Sequence, residues 1–121
     1  MKKWSLLVLV ACGSLHAQEA ATNFPDGSSP LTTEVLKTAV EDKVFTVEPA
    51  KGTPWRLQYN ANGYFYVNVG NFADSGKWSA KDSTLCTEGK QIRYFCNEFR
   101  MKDGVLFMKR ENGEVVKFTP K

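Results

Sequence analysis

From Val44 onward, hydrophobic and polar residues alternate in short runs that are bounded by Gly, Asn, Asp or Pro. A two-residue period rich in β-branched and aromatic side chains is typical of half-buried strands. The segments between the runs are too short for crossover helices, so consecutive strands are expected to pair antiparallel as a meander of about seven or eight strands. The runs read VFTVEP, PWRLQY, YFYVNV, GKWSA, STLC, IRYFCNEF, VLFMKR and EVVKF.

The segment before these runs, residues 31–42, has a helical period. Thr32 or Thr33 is suited to cap its first turn. We therefore predict one N-terminal amphipathic helix of about three turns, placed against one face or one opening of the sheet. The apolar positions behind this prediction are Leu31, Val35, Leu36 and Ala39 or Val40.

The hairpin WRLQYNANGYFYVNV shows which side chains face inward. A two-residue Asn62-Gly63 loop would place the apolar residues of its two strands on opposite faces. A three-residue loop over 61–63 places them on one face and puts Gly63 at the left-handed bulge position. This register pairs Tyr59 with Phe65, Leu57 with Val67 and Trp55 with Val69.

The last hairpin, LFMKRENGEVVKF, follows the same rule with a loop over 111–113. Its register sets Met108 opposite Val116, Leu106 opposite Phe118 and Arg110 opposite Glu114. The last of these pairs has opposite charges, as cross-strand pairing favours. Because the inward residues are large and aromatic, we expect a mainly β fold with a strongly curved sheet or a small open barrel.

The N-terminal residues MKKWSLLVLVACGSLHAQ have the layout of a bacterial export signal. Cleavage after Ala17 would give a mature chain from Gln18, whereas LVAC resembles a lipobox that would make Cys12 an acylated N-terminus. The apolar run before Cys12 is short, which favours the first product. We expect a signal peptide over 1–17, a disordered lead-in over 18–30 and a single periplasmic or secreted domain over 31–121.

The charge balance argues against a nucleic-acid partner. The chain has 16 Lys and Arg residues against 13 Asp and Glu residues, and the signal peptide contains two of the lysines. A nucleic-acid interface needs a clustered basic face, which this mixed distribution lacks. Contact with a membrane is expected only through a lipid anchor on Cys12.

Cys86 and Cys96 are the thiols that remain beyond the signal region. In an exported protein two such thiols normally oxidise, and the turn-forming residues between them allow the pair to bridge neighbouring strands. The spacing differs from the Cys-x-x-Cys of thiol oxidoreductases, and two thiols without histidine do not make a four-ligand zinc site. We predict a structural disulfide and no metal or cofactor.

The remaining titratable residues do not suggest an enzyme. The one histidine, His16, lies in the signal region, so the mature chain lacks the commonest general base. The acidic residues that could form a catalytic pair lie in or beside predicted turns, without an apolar surround that would raise a pKa. They are Asp74, Asp82, Glu88, Glu98 and Asp103.

Binding is therefore the expected function, and two kinds of site compete. The predicted register turns rigid aromatics and amides outward, which suits recognition of a protein or a cell-wall component, for example as a hydrolase inhibitor. These residues are Tyr64, Tyr66, Gln58, Asn60 and Asn68. The alternative is a carrier that holds a small apolar ligand inside the sheet. Its lining would be Trp55, Tyr59, Phe65, Val67 and Trp78.

Four short motifs follow one another along the chain: Gly76-x-Trp78, Leu85-Cys86, Cys96 and Gly104-x-Leu106. This series resembles small exported proteobacterial domains of unknown function that have a lipocalin-like or related β meander. The resemblance covers roughly residues 45–118 and implies a compact, disulfide-bridged β domain with no established activity. Lipocalins also have a Gly-x-Trp, but near their first strand, so Trp78 is expected to fill the core.

Overall fold

A computed structural model describes residues 19–121, so the predicted signal peptide and Cys12 lie outside the described residues. These described residues form one helix followed by eight antiparallel strands that close into a barrel in sequence order. The predicted meander is confirmed, and the sheet curls far enough for the last strand to pair with the first. The elements are α1 (Thr33–Val40), β1 (Lys43–Val47), β2 (Trp55–Tyr59), β3 (Tyr64–Val69), β4 (Phe72–Lys81), β5 (Thr84–Gly89), β6 (Phe95–Lys102), β7 (Val105–Lys109) and β8 (Val115–Pro120).

Helix α1 has eight residues, so it is shorter than the three turns predicted. Thr32 caps it by accepting a hydrogen bond from the backbone N–H of Val35 at 3.2 Å. It ends where Asp42 takes a positive φ of 58° and donates its N–H to the carbonyl of Tyr59 at 2.6 Å. The helix packs against β1 and β4, which are not neighbours in the barrel, so it crosses one opening. We call this opening the helix end and the opposite one the mouth.

Both hairpin registers agree with the predictions. Tyr59 pairs with Phe65 and Leu57 with Val67, and Gly63 has a φ of 94° in the three-residue loop. In the last hairpin Leu106 pairs with Phe118, and the Arg110 N–H donates to the Glu114 carbonyl at 2.7 Å. The inward positions of all eight strands therefore face one core.

The core is filled mainly near the helix end. The ring centroids of Phe45 and Phe118 lie 5.3 Å apart, and those of Phe99 and Phe118 lie 5.1 Å apart. Leu36 and Val40 of α1 are fully buried against this cluster. Aromatic side chains of this size fill the width of an eight-stranded barrel at this end.

The lead-in, which was expected to be disordered over residues 18–30, contacts the barrel at several positions between residues 21 and 29. Ser29 forms two backbone hydrogen bonds with Met101, at 2.9 and 3.0 Å. The Arg100 guanidinium lies 5.3 Å from the Phe24 ring centroid, and the Ala21 carbonyl accepts the Val115 N–H at 2.7 Å. The physical reason is that β5 begins only at Thr84, which leaves the end of β6 with backbone groups for the lead-in to pair with.

The predicted disulfide is present. Cys86 and Cys96 face each other across β5 and β6, with Cα atoms 4.0 Å apart. The neighbouring inward residue Leu85 is buried, so the bridge lies on the outer face of the sheet. Such a bond is the chemistry of an oxidising compartment.

Candidate ligand-binding sites

An apolar cavity of about 220 Å³ lies inside the barrel beneath the mouth. Its wall combines aromatic side chains with smaller ones such as Val67, Thr87 and Asn97. Four of the five residues predicted as an apolar lining contribute to its wall: Trp55, Tyr59, Phe65 and Val67. The remaining wall residues are Leu57, Val69, Phe72, Leu85, Thr87, Ile92, Asn97 and Met108.

Trp78, the fifth predicted lining residue, does not border this cavity. It is buried in the core, and its ring meets that of Tyr59 edge-on with centroids 5.8 Å apart. Its indole N–H donates to the Asn60 carbonyl at 2.9 Å, which satisfies the polar atom of a buried tryptophan. Burial also raises the pKa of the Tyr59 phenol, so Tyr59 stays neutral in the cavity wall.

An ion pair and an aromatic ring stand at the mouth. The Arg110 guanidinium lies 4.8 Å from the Trp55 ring centroid and 2.6 Å from a Glu114 carboxylate oxygen. Burial disfavours the charged form of Glu114, but the Ala50 N–H at 2.8 Å and Arg110 outweigh it, so the pKa of Glu114 is lowered. The Arg110 side chain is thereby fixed beside the cavity entrance.

The location of Asp74 differs from the one that the sequence predicted. It was expected in or beside a turn, yet it lies in β4, which begins at Phe72, and its side chain is buried. Its carboxylate accepts backbone N–H groups from Ser75, Lys90, Gln91 and Ile92 at 2.8–3.1 Å. Burial disfavours the charged carboxylate, but these four donors outweigh it and lower its pKa. Because residues 90–92 donate to this carboxylate, they form a loop against β4, and β6 begins at Phe95, three residues later than predicted.

The residues predicted as a binding surface share the outer face of β2 and β3. We call this surface the tyrosine face, and it consists of Tyr64, Tyr66, Gln58, Asn60 and Asn68. Tyr64 and Tyr66 are 43% and 41% exposed. The Gln58 amide donates to the Asn60 side chain at 3.0 Å, so these two amides hold each other. Grooves of about 440 Å³ and 280 Å³ flank Tyr66, and Lys90 borders both.

A larger apolar groove of about 620 Å³ lies at the helix end, and sequence reasoning missed it. One wall is the side of α1 that bears Val35, and the other is formed by the ends of β6, β7, β8 and β1. The feature that points to this groove is Val35, an apolar residue of the predicted helix that remains 46% exposed in the structure. The groove is bordered by Glu34, Val35, Thr38, Ala39, Lys43, Phe45, Met101, Gly104, Val105, Leu106, Phe118 and Pro120.

Between residues 19 and 121, no three His, Cys, Asp or Glu side chains are grouped so that they could hold a metal ion. The same part of the chain has no helix with the length and hydrophobicity needed to cross a bilayer.

Comparison with known proteins does not place the chain in a family. No family model, curated protein or solved structure matches it. The resemblance to small exported proteobacterial domains therefore stays a prediction from the sequence.

Proposed function

We propose that the protein is a non-enzymatic exported binding protein whose barrel holds a small apolar ligand in the mouth cavity. The observation that carries this proposal is the cavity itself, whose wall is formed by β2 to β7 and Ile92, and which meets a shallower groove bordered by Arg110 at Trp55 and Met108. Its wall is aliphatic and aromatic apart from a few polar atoms, of which the Asn97 amide already donates to the Lys109 carbonyl at 3.0 Å.

The volume limits the class of ligand. An apolar cavity of about 150 Å³ in a protein core takes benzene, whereas pockets for drug-sized molecules measure roughly 300–1,000 Å³. A space of about 220 Å³ therefore suits a single ring or a short branched chain with at most one polar group, such as indole, toluene or cyclohexanol.

The test measures how these three probes shift the melting temperature of the exported protein. A ligand at 100 times its Kd stabilises the folded state by about 2.7 kcal/mol, a shift that calorimetry resolves. Phe65→Trp, which enlarges a cavity-wall residue, should abolish the shift. The matched control, Tyr64→Ala with Tyr66→Ala, changes outward residues of the same strand and should retain it. The proposal fails if no probe stabilises the protein, or if the tyrosine variant alone loses binding.

A second candidate function is recognition of a protein or cell-wall glycan by the tyrosine face. It is favoured by the exposure of Tyr64 and Tyr66 between two grooves, which is the arrangement of amphipathic aromatics found at interfaces. A hydrolase inhibitor would be one form of it. Binding of peptidoglycan fragments or inhibition of a lysozyme panel should then be lost in the double tyrosine variant and kept in Phe65→Trp, the reverse of the carrier result.

The proposed place of action is the periplasm or the exterior, as a soluble protein. This rests on the export-like N-terminus together with the Cys86–Cys96 bridge. Intact mass of protein recovered from the native envelope tests it. A mass of residues 18–121 less two hydrogens supports soluble export, whereas an acylated chain from Cys12 would mean a tethered lipoprotein.

A further inference from the structure

The groove at the helix end is a second site, separate from the mouth cavity, and it lies at the opposite end of the barrel. Its floor consists of core residues, among them Phe45, Leu106 and Phe118, and its outer wall is α1. With about 620 Å³ it falls within the usual range for ligand pockets, roughly 300–1,000 Å³. The helix thus leaves part of the barrel opening uncovered, as an apolar channel.

The shape of this channel favours a single flexible chain over a protein helix. It runs beside α1, which has eight residues and so a length of about 12 Å. A helix of that length and about 10 Å across would occupy roughly 940 Å³, so it could rest on the groove only with part of its volume outside. An extended alkyl chain is narrower and could lie along the whole wall.

Charge distinguishes the two ends of the groove. Glu34 is at the start of α1, and Lys43 lies just after its end. The Lys43 ammonium donates to the Thr38 carbonyl at 2.9 Å and has further donors directed elsewhere. Among the described residues its ammonium forms no ion pair. An anionic head group would be attracted at the Lys43 end and repelled at the Glu34 end.

We infer that the helix-end groove binds one single-chain anionic amphiphile, such as a long-chain carboxylate, with its head group at Lys43 and its chain between α1 and the ends of β6–β8. The chain's own N-terminal apolar run is a poorer occupant. The lead-in contacts Val115 near the mouth before it reaches Met101 at the helix end, so residues upstream of it would have to return along the whole barrel.

The experiment titrates dodecanoate, and separately dodecanol, into isotope-labelled protein that was exported with its own signal, and follows the amide chemical shifts. Dodecanoate should saturate and move the amides of Val35, Ala39 and Phe45. Val35→Glu places a carboxylate in the groove and should weaken binding at least tenfold. The control Lys37→Glu puts the same side chain on α1 away from the groove and changes net charge more, yet affinity should stay within twofold.

Lys43→Gln tests the head-group assignment. Because Lys43 is exposed, its loss should weaken dodecanoate binding only about three- to fivefold, and the effect should vanish at high salt. Dodecanol binding should not change in this variant.

The outcomes separate this inference from the proposed function. Shifts confined to mouth residues such as Trp55 and Met108 would overturn the groove site and leave the mouth cavity standing. Shifts at the groove that survive Val35→Glu would overturn the assignment of the groove. A third outcome would assign the groove to the chain's own N-terminal segment and overturn the amphiphile. In that case the chemical shifts of the groove amides would already differ between the uncleaved and the processed chain, and dodecanoate would not move them.

Discussion

The carboxylate of Asp74 in β4 accepts the backbone N–H of Ile92 at 2.8 Å, and Ile92 in turn forms part of the mouth-cavity wall. Lys90 and Gln91 donate to the same carboxylate. One buried side chain therefore fixes the loop between β5 and β6 and, with it, one side of the cavity. The arrangement links the stability of a loop to the shape of the proposed ligand site.

We expect Asp74→Asn to loosen this loop, because an amide has one acceptor oxygen where the carboxylate has two. The amides of Lys90, Gln91 and Ile92 should exchange with solvent faster, and the melting temperature should fall. Hydrogen exchange followed by NMR measures the first effect. Asp103→Asn, which removes the same charge from an exposed turn, is the control and should leave these amides unchanged; equal protection in both variants would contradict the role of Asp74.

Stability should decrease on acidification below about pH 4.5. The pKa values of Asp74 and Glu114 are lowered in the folded state from ordinary values of 3.8 and 4.5. As the pH falls, the unfolded chain binds protons first, so the stabilisation is present above these values and is lost as pH falls through the folded pKa values. Urea unfolding from about pH 7 to about pH 3 measures this slope.

The variant Asp74→Asn with Glu114→Gln should be less stable at neutral pH and should have a flatter acid slope. An unchanged slope would show that other carboxylates govern the acid response.

Removal of the Cys86–Cys96 bridge should cost about 3 kcal/mol of unfolding free energy, since the bond closes a short loop and restricts the unfolded chain. Denaturant unfolding of the protein with and without reductant measures this cost. A double Cys→Ser variant should match the reduced protein and should be insensitive to reductant. A cost near zero would contradict this prediction, because the unfolded chain would then be no more restricted with the bridge than without it.

Gly76→Ala should destabilise the barrel by about 3 kcal/mol or more, because a rigid backbone group occupies the space of the new methyl group. A Cβ at this position would lie 1.9 Å from the Glu88 carbonyl oxygen. Ser79→Ala, at an outward position of the same strand, should change stability by less than about 0.5 kcal/mol. Thermal and urea unfolding of both variants provide the comparison, and equal stability would contradict the close approach of β4 to β5.

The strand registers were predictable because a single-residue slip would turn every inward residue outward, as for Tyr59 and Phe65. The disulfide was predictable from compartment and spacing. The position of Asp74 was not, because its partners are backbone groups that lie close to it only after the barrel closes. The helix-end groove was missed for a related reason: the sequence shows that Val35 is apolar, but only tertiary packing determines that part of α1 leaves the core uncovered.

The closure of the barrel depends on a narrow seam. β1 and β8 are joined by only two residue pairs, Phe45 with Pro120 and Thr46 with Thr119, and a proline has no N–H to donate. Opening the barrel here would separate only these two pairs and the hydrogen bond from the Lys121 N–H to the Val44 carbonyl, whereas the other neighbouring strands share four to six residue pairs. It would also expose two strand edges to other chains. Phe45 and Pro120 also border the helix-end groove. A molecule bound there would hold both sides of the seam together and so protect the protein against edge-to-edge aggregation.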